Sequence, residues 1–185
     1  EPHIVDLANF LNTMGAHVSG AGTDTVKIRG VKQLRGGTYA VIPDQIEAGT
    51  YMAAAVATGG NVLVQNVIPK HMECITTRLR EMGAKITEYD DAIRVQASYP
   101  LRRITVKTMP YPGFPTDMQA QICVCMVLAT GTSRLTESVY ETRFFGYCSE
   151  LENMGAKIKV DGKTANVTGM GERKLKGTTV HAKDL

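Results

Sequence analysis

Three segments of the chain carry apolar residues at helical spacing, and each ends in the tripeptide Met-Gly-Ala. The apolar stripes are Ile4, Ala8, Leu11 and Met14; Met72, Ile75, Leu79 and Met82; and Cys148, Leu151 and Met154. This spacing predicts three amphipathic helices. The glycine after each stripe predicts a left-handed helix end, because glycine adopts positive φ without the strain that a Cβ would bring.

The pattern between these helices also repeats. The Met-Gly-Ala tripeptides lie about 70 residues apart, a spacing typical of a repeated supersecondary unit. Alternating runs after them predict strands at 26–28, 93–95 and 165–167. A second helix type, rich in Ala and Met and closed by Thr-Gly, is predicted over 45–57 and 117–129, with strands after it at 62–64 and 134–136.

The predicted unit is therefore strand, helix, strand, helix, strand, strand, which favours an α/β (α+β) fold with helices covering a sheet. Residues 1–30 match only the second half of a unit. Residues 178–184 resemble the strand expected before Asp44, and no helix follows them. We therefore expect the chain to be a segment of a longer protein.

Composition limits the possible functions. The chain is 43% hydrophobic and 21% charged, with net charge +3, as in ordinary globular proteins. Basic residues are scattered, which argues against nucleic acid as a partner, and no apolar run is long enough for a membrane span. The four cysteines form no Cys-x-x-Cys pair, so we expect buried reduced thiols in a cytoplasmic protein, without metal or cofactor.

One loop stands out as a candidate site. Residues 111–121 read Tyr-Pro-Gly-Phe-Pro-Thr-Asp-Met-Gln-Ala-Gln, a stiff turn running into an apolar helix. Thr116 and Gln119 have capping-box spacing, which predicts Asp117 at the first helical position, near the positive end of the helix dipole. A helix with an acidic first turn is the simpler interpretation, and a functional carboxylate is the alternative.

The run Phe-Pro-Thr-Asp-Met-Gln-Ala-Gln resembles the signature of the UDP-N-acetylglucosamine enolpyruvyl transferase family. Other segments resemble the same family, and together they span the chain in order: 1–11, 20–24, 136–144 and 182–185. The resemblance implies βαβαββ units in an inside-out α/β barrel of two lobes with a cleft between them. Residues 1–42 would then end one lobe, and 43–185 would form most of the other.

The resemblance also implies a reaction. The enolpyruvyl group of phosphoenolpyruvate would move to the 3′-hydroxyl of UDP-N-acetylglucosamine, a first step of peptidoglycan precursor synthesis that serves cell-wall biogenesis, cell shape, the cell cycle and cell division. Asp117 matches the family's base, and Val139 matches a position whose backbone contacts the nucleotide sugar. A carboxylate is a weak base for an alcohol, so its positioning should contribute most.

Four more residues are candidate substrate contacts. Glu141 and Arg143 have two interpretations. They form either a solvated strand end or a pair that faces the cleft, in which Arg143 orients Asp184 or an anionic substrate. Asp184 matches a family active-site carboxylate. Asp44 matches a family aspartate, and a simple helix cap explains it equally well.

Several parts of the family pattern have no counterpart here. They are a Lys-Asn pair, a mobile loop that bears a cysteine, and most phosphate-binding arginines, so we expect the rest of the same polypeptide to supply them and the isolated chain to be inactive. Two alternatives stay open: an enzyme of the 5-enolpyruvylshikimate-3-phosphate synthase type, and a non-catalytic binding module of the same fold.

Overall fold

A computed structural model of the chain describes residues 1–140, 142–171 and 175–182. The chain forms two compact units, Glu1–Pro43 and Asp44–Leu185. The lobe assignment of residues 1–42 and 43–185 stays a prediction. The helices are α1 Pro2–Thr13, α2 Gln45–Thr58, α3 Glu73–Glu81, α4 Gln119–Val127 and α5 Phe144–Asn153, with 3-10 helices at Pro69–Met72 and Thr116–Met118.

The strands are short and fall between the helices. They are β1 His17–Ser19, β2 Lys27–Arg29, β3 Asn61–Gln65, β4 Lys85–Glu88, β5 Ala92–Gln96, β6 Leu101–Arg102, β7 Thr105–Lys107, β8 Ala129–Thr130, β9 Thr132–Thr136, β10 Lys157–Asp161 and β11 Thr164–Thr168. The predicted α/β character is confirmed, and strands form at or within one residue of the predicted positions 26–28, 62–64, 93–95, 134–136 and 165–167.

The sheets confirm the internal repeat. One antiparallel sheet has the order β3-β5-β4, and the corresponding strands of the next copy have the order β9-β11-β10. The second copy carries β7 as an added strand, parallel to β9. The smaller unit contains α1 and the hairpin β1-β2, which match the second half of a copy.

The predicted left-handed helix ends are also confirmed. Gly15, Gly83 and Gly155 have φ of 96°, 108° and 98°. In each case the following alanine donates its N–H to a carbonyl five residues earlier, at 3.0 to 3.1 Å. This is the Schellman arrangement, which satisfies carbonyls that the end of a helix leaves unpaired.

Three local predictions were wrong. The helix expected over 117–129 opens as a 3-10 turn and ends at Val127, because Ala129–Thr130 pairs in parallel with Leu101–Arg102 instead. No strand forms directly before Asp44 or at 178–182, and no neighbouring strand pairs with either segment in the described part of the chain.

Helices α2 and α4 each contribute six buried residues to the larger unit. Their fully buried side chains include Met52, Val56, Cys123, Cys125 and Met126. A Cβ at Gly49 of α2 would lie 2.9 Å from Sδ of Met118, so the absent side chain allows α2 to approach the 3-10 turn closely. Among the described helices, none has the length and apolar character needed to cross a bilayer.

Candidate active site

The 3-10 turn Thr116–Met118 presents the candidate base. Met118 is 1% exposed and lies in the core against α2, whereas the side chain of its neighbour Asp117 is 48% exposed. A buried anchor directly after the acidic residue fixes the turn while the carboxylate faces solvent. The structure therefore leaves Asp117 accessible to a ligand.

Arg143 holds this carboxylate from the start of α5. Its Nη1 donates hydrogen bonds to Oδ1 of Asp117 at 2.7 Å and to the carbonyl oxygen of Thr116 at 2.8 Å. The Arg143 side chain is only 9% exposed, and its guanidinium carbon lies 5.4 Å from the centre of the Tyr140 ring. A charge-assisted bond from a buried guanidinium restricts the carboxylate strongly.

The predicted capping box does not form. Neither Thr116 nor Gln119 makes a side-chain cap at the start of its helix. Both side chains donate instead to Oε2 of Glu137, Thr116 at 2.9 Å and Gln119 at 2.6 Å. The prediction was wrong because a carboxylate distant in sequence takes both polar groups.

Glu137 is fully buried and accepts hydrogen bonds on both carboxylate oxygens. Oε1 accepts from the hydroxyl of Thr108 at 2.7 Å and from the backbone N–H groups of Val139 at 2.7 Å and Tyr140 at 2.8 Å. Together with Thr116 and Gln119 these donors make five hydrogen bonds, which we call the Glu137 network.

Burial and hydrogen bonding act on Glu137 in opposite directions. Burial tends to raise the pKa of its carboxyl group, because it disfavours the charged form. The hydrogen bonds from Thr108, from the two backbone N–H groups and from Thr116 favour the charged form and prevail, so the pKa lies below its usual value. The Glu137 network is thus built around an anion.

Sequence reasoning missed Glu137. A signal was present, because the inward-facing positions of β9 alternate through Ser133 and Leu135, and the next position in that phase is Glu137. An acidic residue on the buried phase of a strand needs hydrogen-bond partners.

A second contact links α5 to the start of α4. The hydroxyl of Tyr147 donates to Oε1 of Gln119 at 2.7 Å, and Gln119 in turn donates to Glu137. Burial raises the pKa of the Tyr147 hydroxyl far above its ordinary value. Tyr147 is therefore a neutral donor that extends the Glu137 network into α5.

The other predicted site residues lie in different surroundings. Val139 is 45% exposed, and its N–H is engaged by Glu137. Asp44 caps α2, with Oδ1 accepting from the N–H groups of Ile46 at 2.7 Å and Glu47 at 3.2 Å. Glu141 and Asp184 lie outside the described residues, so the predicted contact between Arg143 and Asp184 stays a prediction. The described partner of Arg143 is Asp117.

Burial shields three of the four cysteines from solvent. Cys123, Cys125 and Cys148 are buried free thiols, and Cys74 is partly exposed. Burial raises the pKa of Cys125 to about 12. Within the described ranges, no group of three His, Cys, Asp or Glu side chains is arranged to hold a metal ion.

Two curated relatives share more than half of this sequence. One is a UDP-N-acetylglucosamine 1-carboxyvinyltransferase of Caldanaerobacter subterraneus subsp. tengcongensis, 57% identical over 185 residues, which are all of this chain and 44% of the relative. Another, of Desulfofundulus thermocisternus, is 54% identical over 97% of this chain and 73% of the relative. The chain thus spans less than half of the first relative's length.

Solved structures show the same fold. The enolpyruvyl transferase NikO from Streptomyces tendae is similar with a TM-score of 0.79 and 27% identity, over 91% of this chain and 40% of that one. EPSP synthase from Acinetobacter baumannii is similar with a TM-score of 0.66 at 23% identity, over 88% of this chain and 39% of that one, which supports the fold alone.

The family model described as EPSP synthase (3-phosphoshikimate 1-carboxyvinyltransferase) matches residues 1–185, the whole of this chain. The predicted enolpyruvyl transferase fold agrees with that match and with the relatives and structures above. On this basis the chain belongs to the EPSP synthase family.

Proposed function

We propose that the full-length protein containing this chain transfers the enolpyruvyl group of phosphoenolpyruvate to the 3′-hydroxyl of UDP-N-acetylglucosamine. The observation that carries the proposal is the accessible carboxylate of Asp117, held by a buried arginine on an anchored turn. The names of relatives at 54% and 57% identity support this substrate pair.

In the proposed reaction the sugar hydroxyl oxygen attacks C2 of phosphoenolpyruvate, and its proton passes to Asp117. A proton donor from another part of the polypeptide adds a proton to C3. Phosphate then leaves from C2 and a proton leaves C3, which restores the carbon–carbon double bond in the product. Because a carboxylate is a weak base for an alcohol, Asp117 contributes mainly by being held at the reacting hydroxyl.

Arg143 orients the base in this proposal. Its guanidinium binds Oδ1 of Asp117 and leaves Oδ2 as the oxygen to receive the proton. The predicted contact of Arg143 with an anionic substrate is less consistent with a side chain that is 9% exposed. Arg143 therefore acts through Asp117.

Val139 contributes through its main chain. Its N–H already donates to Glu137, so a contact with the nucleotide sugar is made by its carbonyl oxygen, which accepts a hydrogen bond from a ligand N–H or O–H. Glu141, Asp184 and Asp44 remain proposed substrate contacts on the family resemblance. The remaining polypeptide supplies the phosphate-binding cations.

The proposed place of the enzyme is the cytoplasm, with a role in peptidoglycan precursor synthesis and thereby in cell shape and division. Four free cysteines are consistent with a reducing compartment. The isolated chain should be inactive, because the proton donor and most phosphate ligands belong to other segments.

The direct test is Asp117→Asn in the full-length protein, with phosphate release measured in the presence of both substrates. Asparagine keeps the size and an oxygen for Arg143 but cannot take up the proton, so we expect kcat to fall by about 100-fold or more, as for the loss of a general base. The melting temperature should change little, since the side chain is half exposed. Near-normal turnover would remove Asp117 from the chemistry, whereas a lack of phosphate release by the unsubstituted protein would favour a non-catalytic module.

A second candidate has specific support. The matching family model is described as 3-phosphoshikimate 1-carboxyvinyltransferase, which suggests shikimate 3-phosphate as the acceptor. A ligand that binds only the folded state raises the melting temperature. Stabilisation by UDP-N-acetylglucosamine and none by shikimate 3-phosphate would support the first proposal, and the reverse result would support the second.

A further inference from the structure

We propose that Glu137 is a positioning residue, which holds the turn bearing Asp117 at a fixed position relative to the backbone at Val139. This inference rests on the proposed function, because it concerns how the base and the nucleotide-sugar contact are kept in one geometry. Glu137 itself is fully buried and so does not touch substrate.

The Glu137 network joins three segments that are separate in sequence. Thr108 follows β7, Thr116 and Gln119 lie in the 3-10 turn and at the first position of α4, and Val139 and Tyr140 follow β9. Of the two carboxylate oxygens, Oε2 accepts from Thr116 and Gln119 on either side of Asp117, whereas Oε1 accepts from the backbone N–H groups of Val139 and Tyr140. One rigid carboxylate plane thus sets the distance between the two functional segments.

The link from Glu137 to Asp117 passes through Thr116. The hydroxyl of Thr116 donates to Glu137 at 2.9 Å, and the carbonyl oxygen of Thr116 accepts from Arg143 at 2.8 Å. Arg143 also binds the carboxylate of Asp117. The residue before the base is therefore fixed on both its side chain and its main chain, and a shift of Glu137 moves the base.

A neutral side chain of the same shape cannot reproduce this arrangement. Five donors converge on two oxygens, and glutamine would offer one oxygen and one NH2 group. The Thr116 hydroxyl can turn to accept. Gln119 can accept only if its own amide turns, and that change also reverses its hydrogen bond with Tyr147.

The first experiment is Glu137→Gln in the full-length protein, with Leu79→Ala as a control for lost stability. Leu79 is fully buried in α3 and has no part in the Glu137 network. At a temperature where both variants are folded, we expect kcat of Glu137→Gln to fall by about 10- to 100-fold, since small misplacements of reacting groups are costly. The KM for phosphoenolpyruvate should change less than kcat, and Leu79→Ala should keep its turnover.

The second experiment repeats Glu137→Gln in an Asp117→Asn background. If Glu137 acts through the base, its substitution should have little further effect on kcat once the base is gone, so the two losses are strongly non-additive. A purely structural role lowers the active fraction equally in both backgrounds. Additive losses would overturn the proposal.

Thr116→Val serves as a milder variant in case Glu137→Gln does not fold. It removes one donor to Glu137 and keeps the side-chain shape, and it should lower kcat in the same direction without a comparable change in KM. The positioning role would be overturned if Thr116→Val and every folded Glu137 variant kept full turnover.

The outcomes separate this inference from the proposed function. If the unsubstituted protein shows no enolpyruvyl transfer, the proposed function fails; if Asp117→Asn retains turnover, the proposed role of Asp117 as the base fails. If Asp117→Asn loses turnover and Glu137→Gln retains it, only the positioning inference fails.

Discussion

The guanidinium of Arg143 lies 2.7 Å from Oδ1 of Asp117, although 26 positions separate the two residues in the sequence. The arginine is almost fully buried and the aspartate is half exposed, so the fixed partner is the cation and the accessible partner is the anion. This asymmetry suits the proposed role of Asp117 as a general base, because the buried guanidinium sets the position of a carboxylate that stays half exposed.

Replacing Arg143 should damage both stability and turnover. Arg143→Ala removes two hydrogen bonds to charged or backbone oxygens, and we expect a loss of about 2–3 kcal/mol in the free energy of unfolding. Urea unfolding and kcat measurements on the full-length protein check this. The matched control is Arg78→Ala, whose pair with Glu81 is exposed and should be worth less than about 1 kcal/mol. Equal losses of stability and turnover in the two variants would contradict the role of Arg143 in holding Asp117.

Two substitutions at Asp44 can separate its role as a helix cap from its proposed role in substrate binding. Asp44→Ala removes the side chain that accepts from the N–H groups of Ile46 and Glu47, which should cost about 1 kcal/mol. Asp44→Asn should retain most of that stability, since asparagine is an equally good cap. The proposed substrate contact requires a higher KM for Asp44→Asn at an unchanged melting temperature, and an unchanged KM would leave Asp44 with the cap alone.

The stability contributed by Glu137 should depend on pH. Its pKa in the folded protein lies below the ordinary value of 4.5, so the folded state binds its proton more weakly than the unfolded state. The contribution is therefore present above pH 4.5 and is lost as pH falls through the folded-state pKa. We expect the unfolding free energies of the unsubstituted protein and Glu137→Gln to converge in acid. A difference that stays constant with pH would show that Glu137 is not ionised.

Cys125 should resist alkylation in the folded protein. Its pKa of about 12 leaves very little thiolate at neutral pH, and its thiol donates to the carbonyl oxygen of Ala53 inside the α2–α4 contact. Peptide mapping after iodoacetamide treatment should find Cys125 unmodified until urea is added. Partly exposed Cys74 provides the internal comparison. Rapid labelling of Cys125 without denaturant would indicate that the two helices separate readily.

Local patterns predicted the repeated part of the fold well. The Met-Gly-Ala helix ends and the alternating strands depend on neighbouring residues, so spacing alone located Gly15, Gly83 and Gly155 and most of the strands. The end of α4 was misplaced because strand pairing of residues 129–130 with residues 101–102 is a long-range event. Helix periodicity contains no information about such a partner.

The site was only half predictable for the same reason. Asp117 could be singled out from its stiff loop and from the family resemblance. The capping box at Thr116 and Gln119 failed because Glu137, 21 and 18 positions away, takes their side chains. The available clue was a glutamate at an inward-facing position directly after β9. That clue identifies Glu137 as a site residue only once its hydrogen-bond donors are known, and most of them are distant in sequence.

The Schellman ends have a consequence for how such a protein can grow during evolution. Each copy carries its own helix-termination signal, made by residues within a single short stretch, so a duplicated copy brings its helix end with it. A substitution at one of the three glycines should accordingly disturb the end of its own helix first.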